Sequence, residues 1–163
     1  MNKLSHGLNI AWTKYKMGKI KMIEGVVVTP LKQIFHPKGD IFHGMKRSDY
    51  GYTNFGEAYF STVLKSVVKP WKKHLKMTLN IMVPEGEIQF VIYDDRQASS
   101  THGEYFTISL SPKNYCRLTI PPNVWVAFKG IGSNKNMLLN IADMEHDHEE
   151  ILRLGLDQIS YSW

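Results

Sequence analysis

Read as a strand, residues 70–81 place Lys72, His74, Lys76, Thr78 and Asn80 on one face and Trp71, Lys73, Leu75, Met77, Leu79 and Ile81 on the other, because alternate side chains of an extended chain point to opposite sides. One face is polar and cationic, the other nearly all apolar. Two arrangements satisfy the pattern. In one this is an outer strand with a solvated lysine face; in the other it is a barrel strand whose polar face lines a ligand cavity while the apolar face packs on a second sheet or subunit. Lysines attract an anion, and an imidazole is the side chain suited to moving a proton at neutral pH. The remaining chemistry-bearing residues are less informative. His146-Asp147-His148-Glu149-Glu150 is dense in metal-ligand types, but neighbours in a run after a strand form a solvated turn, with Asp147 suited to cap a following helix. His74 has no second histidine two residues away, so no metal site is expected. Cys116 enters a strand between Tyr115 and Arg117 without a paired histidine motif, which fits a packed thiol better than a nucleophile. GxGxxG, Walker, GxSxG and HExxH patterns are absent.

The elements that must position these residues read as β structure. Turn signals recur at Pro37-Lys38-Gly39-Asp40, at 49–54, Pro84-Glu85-Gly86, 99–103, 111–114, Pro121-Pro122-Asn123 and 130–136. Between them lie short apolar runs such as 88–93, 105–110, 117–120, 124–128 and 137–141. Many short strands so spaced predict an antiparallel sandwich or barrel. Residues 149–154 are the one late segment with a helical reading, and 1–24 read as an arm.

A chain of 163 residues sets a prior of one domain, here expected over 25–163. With 43% hydrophobic and 21% charged residues, disordered, collagenous and coiled-coil classes are excluded. The single cysteine cannot form an internal disulfide, no apolar run reaches the ~18 residues of a membrane span, and the first residues lack a secretory apolar stretch. The expectation is a cytoplasmic protein with no membrane partner. Twenty basic against fifteen acidic residues leave a charge of +5, concentrated before residue 22 and at Lys65, Lys69, Lys72, Lys73 and Lys76. The partner is expected to be anionic. No zinc-finger, helix-turn-helix or RNA-stacking motif is present, so no nucleic-acid partner is assigned.

From Phe55 onward the chain resembles the dTDP-4-dehydrorhamnose 3,5-epimerase family of cupin-type jelly rolls. The resemblance rests on Tyr93-Asp94-Asp95-Arg96, Ser100-Thr101-His102-Gly103, Leu110-Ser111, Asn114 and Leu118-Thr119-Ile120-Pro121-Pro122, with an ending over 157–163. Phe35 with Lys38-Gly39 is similar to the family's N-terminal signature. A divergent, epimerase-related branch is closest, in which Gly56-Glu57-Ala58-Tyr59-Phe60-Ser61 precedes a strand bearing lysine and histidine, here Lys69-Pro70-Trp71-Lys72-Lys73-His74.

The resemblance implies an all-β, cupin-type antiparallel jelly-roll barrel with an N-terminal arm and a short C-terminal helix, pairing as a homodimer through edge strands. It implies an epimerase or isomerase of a nucleotide-diphosphate-linked 4-keto-(6-deoxy)hexose in bacterial surface-polysaccharide or deoxysugar biosynthesis, working without cofactor because the substrate's own ketone acidifies the neighbouring carbon. Against the family's motifs, Lys72 stands at the position of the proton-abstracting histidine, His74 two residues later on the same side, and Val126 where a second histidine belongs. The family's acidic tyrosine falls at about Leu139 or Asn140. Epimerisation needs a base on one face of the carbon, a stabilised enolate and a donor on the other. The catalytic set is then His74 as base, Lys72 as second choice, and Tyr59 as donor. Substrate contacts are expected from Lys38, Glu57, Ser61, Lys69, Lys76, Asn80, Trp125 and Asn140. The alternative is a catalytically inactive cupin that binds a sugar nucleotide or carbohydrate.

Overall fold

Alternation of apolar residues builds two facing sheets, seen in a computed structural model that describes residues 22–163. The expected arm lies, up to residue 21, outside the described residues. The strands are β1 (Val27–Pro30), β2 (Gln33–Ile34), β3 (Ile41–Phe42), β4 (Glu57–Val63), β5 (Val68–His74), β6 (Leu79–Glu85), β7 (Ile88–Tyr93), β8 (Tyr105–Leu110), β9 (Cys116–Ile120), β10 (Trp125–Gly130), β11 (Asn136–Ala142) and β12 (Ile151–Leu154). Sheet one runs β1-β9-β6-β11-β4 and sheet two β12-β5-β10-β7-β8, all pairs antiparallel, with β2 and β3 forming a separate ribbon. This is the cupin-like jelly roll. Its interior is filled by Leu79, Ile81 and Val83 of β6, Ile88, Phe90 and Ile92 of β7, Cys116, Leu118 and Ile120 of β9, and Val126 and Leu138 from β10 and β11. Cys116 is the packed thiol its sequence setting indicates, and burial pushes it up to about 11.

Two local readings are corrected. Residues 149–154 do not form a helix: a 3-10 turn, His148–Glu150, is capped by Asp147, whose carboxylate accepts from the Glu149 amide at 2.9 Å, and the chain then extends as β12. Extension is what lets Leu154 cover Trp71 while Arg153, next to it, faces the opposite side beside Lys72. Residues 70–81 are not one strand either. β5 ends at His74 and β6 begins at Leu79, and the interruption resets the alternation, so Lys72 and His74 face the interior at the end of β5 but odd positions do so in β6. Trp71 and Trp125 are buried on the outer face of sheet two beneath Ile159, Tyr161 and Trp163.

Much of the motif at 93–101 is architectural. Asp94, fully buried, accepts from the Arg96 amide, Nε and Nη2, from Ser99 Oγ at 2.6 Å and from Thr101 Oγ1 at 2.7 Å. Burial opposes its charge, but these donors outweigh burial and hold the carboxyl well below the usual range. A depressed carboxylate contributes stability above its unfolded value that is lost as pH falls through the folded one. Asp94→Asn is therefore expected to cost about 3 kcal/mol at neutral pH. The gap to wild type should narrow steadily as pH falls below about 4 in urea titrations, where the unfolded carboxylate takes up its proton before the native one does. A constant gap across that range would show that packing, not charge, is what Asp94 provides.

Candidate functional site

One strand supplies most of the site. On β5, Lys72 lies opposite Val126 and Lys69 opposite Phe128, with a register shift between them. Val126 is part of the interior core and Phe128 packs against that core, so Lys69 and Lys72 both face the barrel although they are three residues apart, which unbroken alternation forbids. His74, on the same side, is 9% exposed. β12 adds Arg153, the direct partner of Lys72. From the other sheet, β4 supplies Glu57, Tyr59 and Ser61, opposite Ala142, Asn140 and Leu138 of β11. The walls meet where Lys69 Nζ donates to Ser61 Oγ at 3.2 Å.

His74 has a partner that sequence reasoning missed. Its Nδ1 bonds Glu150 Oε1, and Glu150 is 2% exposed. The other carboxylate oxygen accepts from the amides of Leu75, Lys76 and Met77 at 3.1, 3.1 and 3.3 Å. Four donors meet the needs of a buried anion, and they outweigh burial to hold Glu150 below the ordinary carboxylate range. A carboxylate at Nδ1 fixes the proton there and leaves Nε2 with its lone pair. The 75–78 interruption that breaks the strand is thus what wraps Glu150.

Burial shifts one of the cations and the phenol. Partial burial, then Arg153, then Lys69, lower the Lys72 ammonium below its ordinary value. None of these three cations is in an ion pair among the described residues. Tyr59 is 42% exposed, with Asn140 as the polar neighbour of its hydroxyl. Burial raises it above the ordinary phenol value, Asn140 opposes that and Glu57 adds to it, so the phenol is protonated at neutral pH. Asn140 is 1% exposed; its Oδ1 accepts from the Asn80 amide at 3.1 Å, and its Nδ2 has no hydrogen-bond partner among the described residues.

Seven of the expected residues, then, lie on the inward faces of the two sheets: His74, Lys72, Lys69, Tyr59, Glu57, Ser61 and Asn140. The other four do not. Asn80 falls on the outer face of sheet one, where Thr119 Oγ1 donates to its Oδ1 at 2.8 Å, because the alternation is reset after His74. Trp125 lies on the outer face of sheet two, its Nε1 donating to Asp95 at 2.8 Å and Lys73 over its ring at 4.6 Å. Lys76, past the end of β5, is exposed and meets Glu150 through its amide. Lys38 sits on the exposed turn between β2 and β3. Glu150 and Arg153 were not legible because no pattern in the chain states that β12 pairs with β5. The only signal was an acidic residue beyond the Asp147 cap. Among the described residues, no three His, Cys, Asp or Glu side chains converge to hold a metal. His146 and His148 are a ring pair, Nε2 to Nδ1 3.3 Å, on the surface. No helix among the described residues is long and apolar enough to cross a membrane.

Known proteins share this arrangement to different degrees. The chain matches no protein-family model. Agl13 of Haloferax volcanii, described as a probable low-salt glycan biosynthesis epimerase, is 35% identical over 94 residues; the match spans 57% of this chain and 60% of that protein, short of two thirds of its length. The dTDP-4-dehydrorhamnose 3,5-epimerase of Sulfolobus tokodaii, at 21% identity, shares the fold with a TM-score of 0.76 over 86% of this chain and 83% of its own. The crystal structure of a dTDP sugar isomerase from Desulfovibrio desulfuricans G20 superposes with a TM-score of 0.84 at 38% identity, covering 86% of this chain and 92% of that one. With identity at that level over nearly the whole of a solved relative, the chain belongs to the family of dTDP-sugar isomerases and epimerases built on the cupin-like jelly roll.

Proposed function

We propose that this chain is an epimerase or isomerase of a nucleoside-diphosphate-linked 4-keto-(6-deoxy)hexose in glycan or polysaccharide biosynthesis. The observation that carries the reading is the His74–Glu150 pair set in the same barrel wall as three cations that form no ion pair with a carboxylate among the described residues. In this reading Lys69, Lys72 and Arg153 hold the diphosphate. His74 Nε2 removes the proton from the carbon beside the ketone, the electron pair passes to the ketone oxygen as an enolate, and the cations stabilise that charge. Glu150 stabilises the imidazolium that forms. Tyr59, from the facing sheet, donates a proton to the carbon's other face, and solvent restores both groups. Ser61, Glu57 and Asn140 are the polar contacts for the sugar.

The reading is tested by solvent-deuterium wash-in to a panel of nucleotide 4-keto sugars, followed by mass. Incorporation of one deuteron or more per molecule is expected. Tight binding of a cognate sugar with no exchange over hours would leave only the binding cupin. In the same assay Lys72→Gln should act mainly on affinity, since a charge that holds diphosphate helps ground state and transition state alike. Calorimetry should show sugar-nucleotide binding weakening as salt rises, and less steeply in Lys72→Gln. Salt-insensitive binding, equal in the two proteins, would remove the cations from the site.

Dimerisation and compartment belong to the same proposal. β4 is an edge strand carrying exposed Phe60 and flanked by exposed Phe55 and Leu64, while exposed Ile41 stands on β3 and exposed Phe35 just after β2. An exposed strand edge with apolar side chains is a surface that a second subunit covers, which supports a homodimer. A lone buried thiol and no internal disulfide are compatible with the cytoplasm.

A further inference from the structure

The cationic wall depends on a defect in β5. Between Lys69 and Lys72 lie Pro70 and Trp71, and these two residues share a single opposing residue on β10, Ala127. That is a β-bulge, and it turns Lys69 into the barrel; in a regular ladder Lys69 would follow Trp71 to the outer face. Pro70 has no N–H to give to a ladder, so it tolerates the bulge, but nothing in proline keeps Trp71 in place. The indole is held from behind. Trp71 is fully buried against Trp163, ring centroids 5.9 Å apart, within a cluster of Val91, Trp125, Ala127 and Ile159.

The segment that carries Trp163 is itself tied down. It leaves β12 just after Arg153, crosses the back of sheet two, and is fixed by Tyr105 OH donating to Ser160 O at 2.8 Å and by Tyr161 OH with Thr107 Oγ1 at 3.0 Å. Tyr161 packs edge-on against Trp163 at 5.0 Å. Neither Trp71 Nε1 nor Trp163 Nε1 has a hydrogen-bond partner among the described residues, so the clamp works by apolar contact and shape. We infer that Trp163, with Tyr161 behind it, is a positioning residue for the cationic wall: it clamps Trp71 from the outer face and so holds the bulge that turns Lys69 toward Ser61 and the anion site. The binding consequence rests on the proposed function; the placement of Lys69 does not.

The experiment separates the two. Lysine acylation read by mass spectrometry needs no ligand. In Trp163→Ala, Lys69 is expected to label severalfold faster relative to the exposed Lys113, and Trp163→Phe should restore the wild-type ratio. Thymidine diphosphate, used as the probe, should bind Trp163→Ala about tenfold more weakly, the size of one charge-assisted hydrogen bond, while deuterium exchange at saturating sugar nucleotide falls much less than binding does, because His74 and Glu150 are untouched. Leu118→Ala, in the core of the other sheet, is the control for lost stability and should move neither readout below its melting temperature. Should Trp163→Ala not fold, Thr107→Val cuts the Tyr161 tie with every ring in place and carries the same test in smaller measure. Unchanged Lys69 labelling in these variants, or an equal change in Leu118→Ala, would overturn the inference. Loss of saturating exchange in step with binding would do the same, since the clamp would then be general support. Wild-type protein that fails to bind thymidine diphosphate would count against the proposed function while the labelling still judges the clamp.

Discussion

His74→Asn is expected to slow deuterium wash-in to a cognate 4-keto sugar nucleotide by about 10²–10⁴-fold, the range for losing a general base, with affinity for the sugar nucleotide nearly preserved. Asparagine keeps a donor for Glu150 but has no lone pair at the position of Nε2. The positioning carboxylate gives a second variant with a different signature. Glu150→Gln puts an amide group where both carboxylate oxygens now accept, so either His74 or the amides of Leu75, Lys76 and Met77 face a donor. Exchange at saturating sugar nucleotide should fall with affinity little changed, because the imidazolium formed as His74 takes the proton loses the charge that stabilises it. A merely structural Glu150 would lower the melting temperature and leave saturating exchange in place. If Lys72→Gln abolishes exchange while His74→Asn leaves it intact, lysine is the base; the lowered Lys72 ammonium makes that outcome chemically coherent.

Tyr59→Phe should separate proton removal from inversion. His74 stands on the second sheet and Tyr59 on the first, with Tyr59 directly across the ladder from Asn140. Without the phenol, the enolate still forms and still collects a deuteron from the His74 side, so wash-in persists. Net epimerisation should fall by about 10²–10⁴-fold, since the proton for the other face has lost its donor. Because the phenol lies above its ordinary value, the wild-type alkaline limb attributable to Tyr59 should appear above about pH 10, and it should vanish in the variant. A reaction that only shifts the carbonyl can return the proton with the base that took it. In that case Tyr59→Phe leaves turnover intact and the activity is a keto-isomerisation.

The exchange and the inversion assays thus assign the two walls separately, which matters because the walls were not equally readable. The polar face of β5 could be read from alternation, and with it Lys72 and His74. Glu57, Tyr59 and Ser61 shared one face of β4 by the same rule. Short apolar runs between turn signals sufficed for an antiparallel barrel, since burial of every second residue leaves its mark within a few neighbours.

What alternation could not carry is where it stops. Asn80 looked like the far end of the His74 face, yet a four-residue interruption resets the parity and turns it to the outer side of its sheet. Lys69, expected as a substrate contact, would fall on the apolar face by unbroken alternation, and a bulge returns it to the cationic one. Trp125 looked like a ligand contact, and the strand's other face claimed it for the packing beneath residues 155–163. Glu150 and Arg153 enter the site only because β12 pairs with β5 from 77–83 positions away along the chain. Periodicity is a local property, legible in one stretch of sequence, whereas bulges, parity resets and strand partners are settled by which distant surfaces must pack together, and those surfaces exist only in the folded chain.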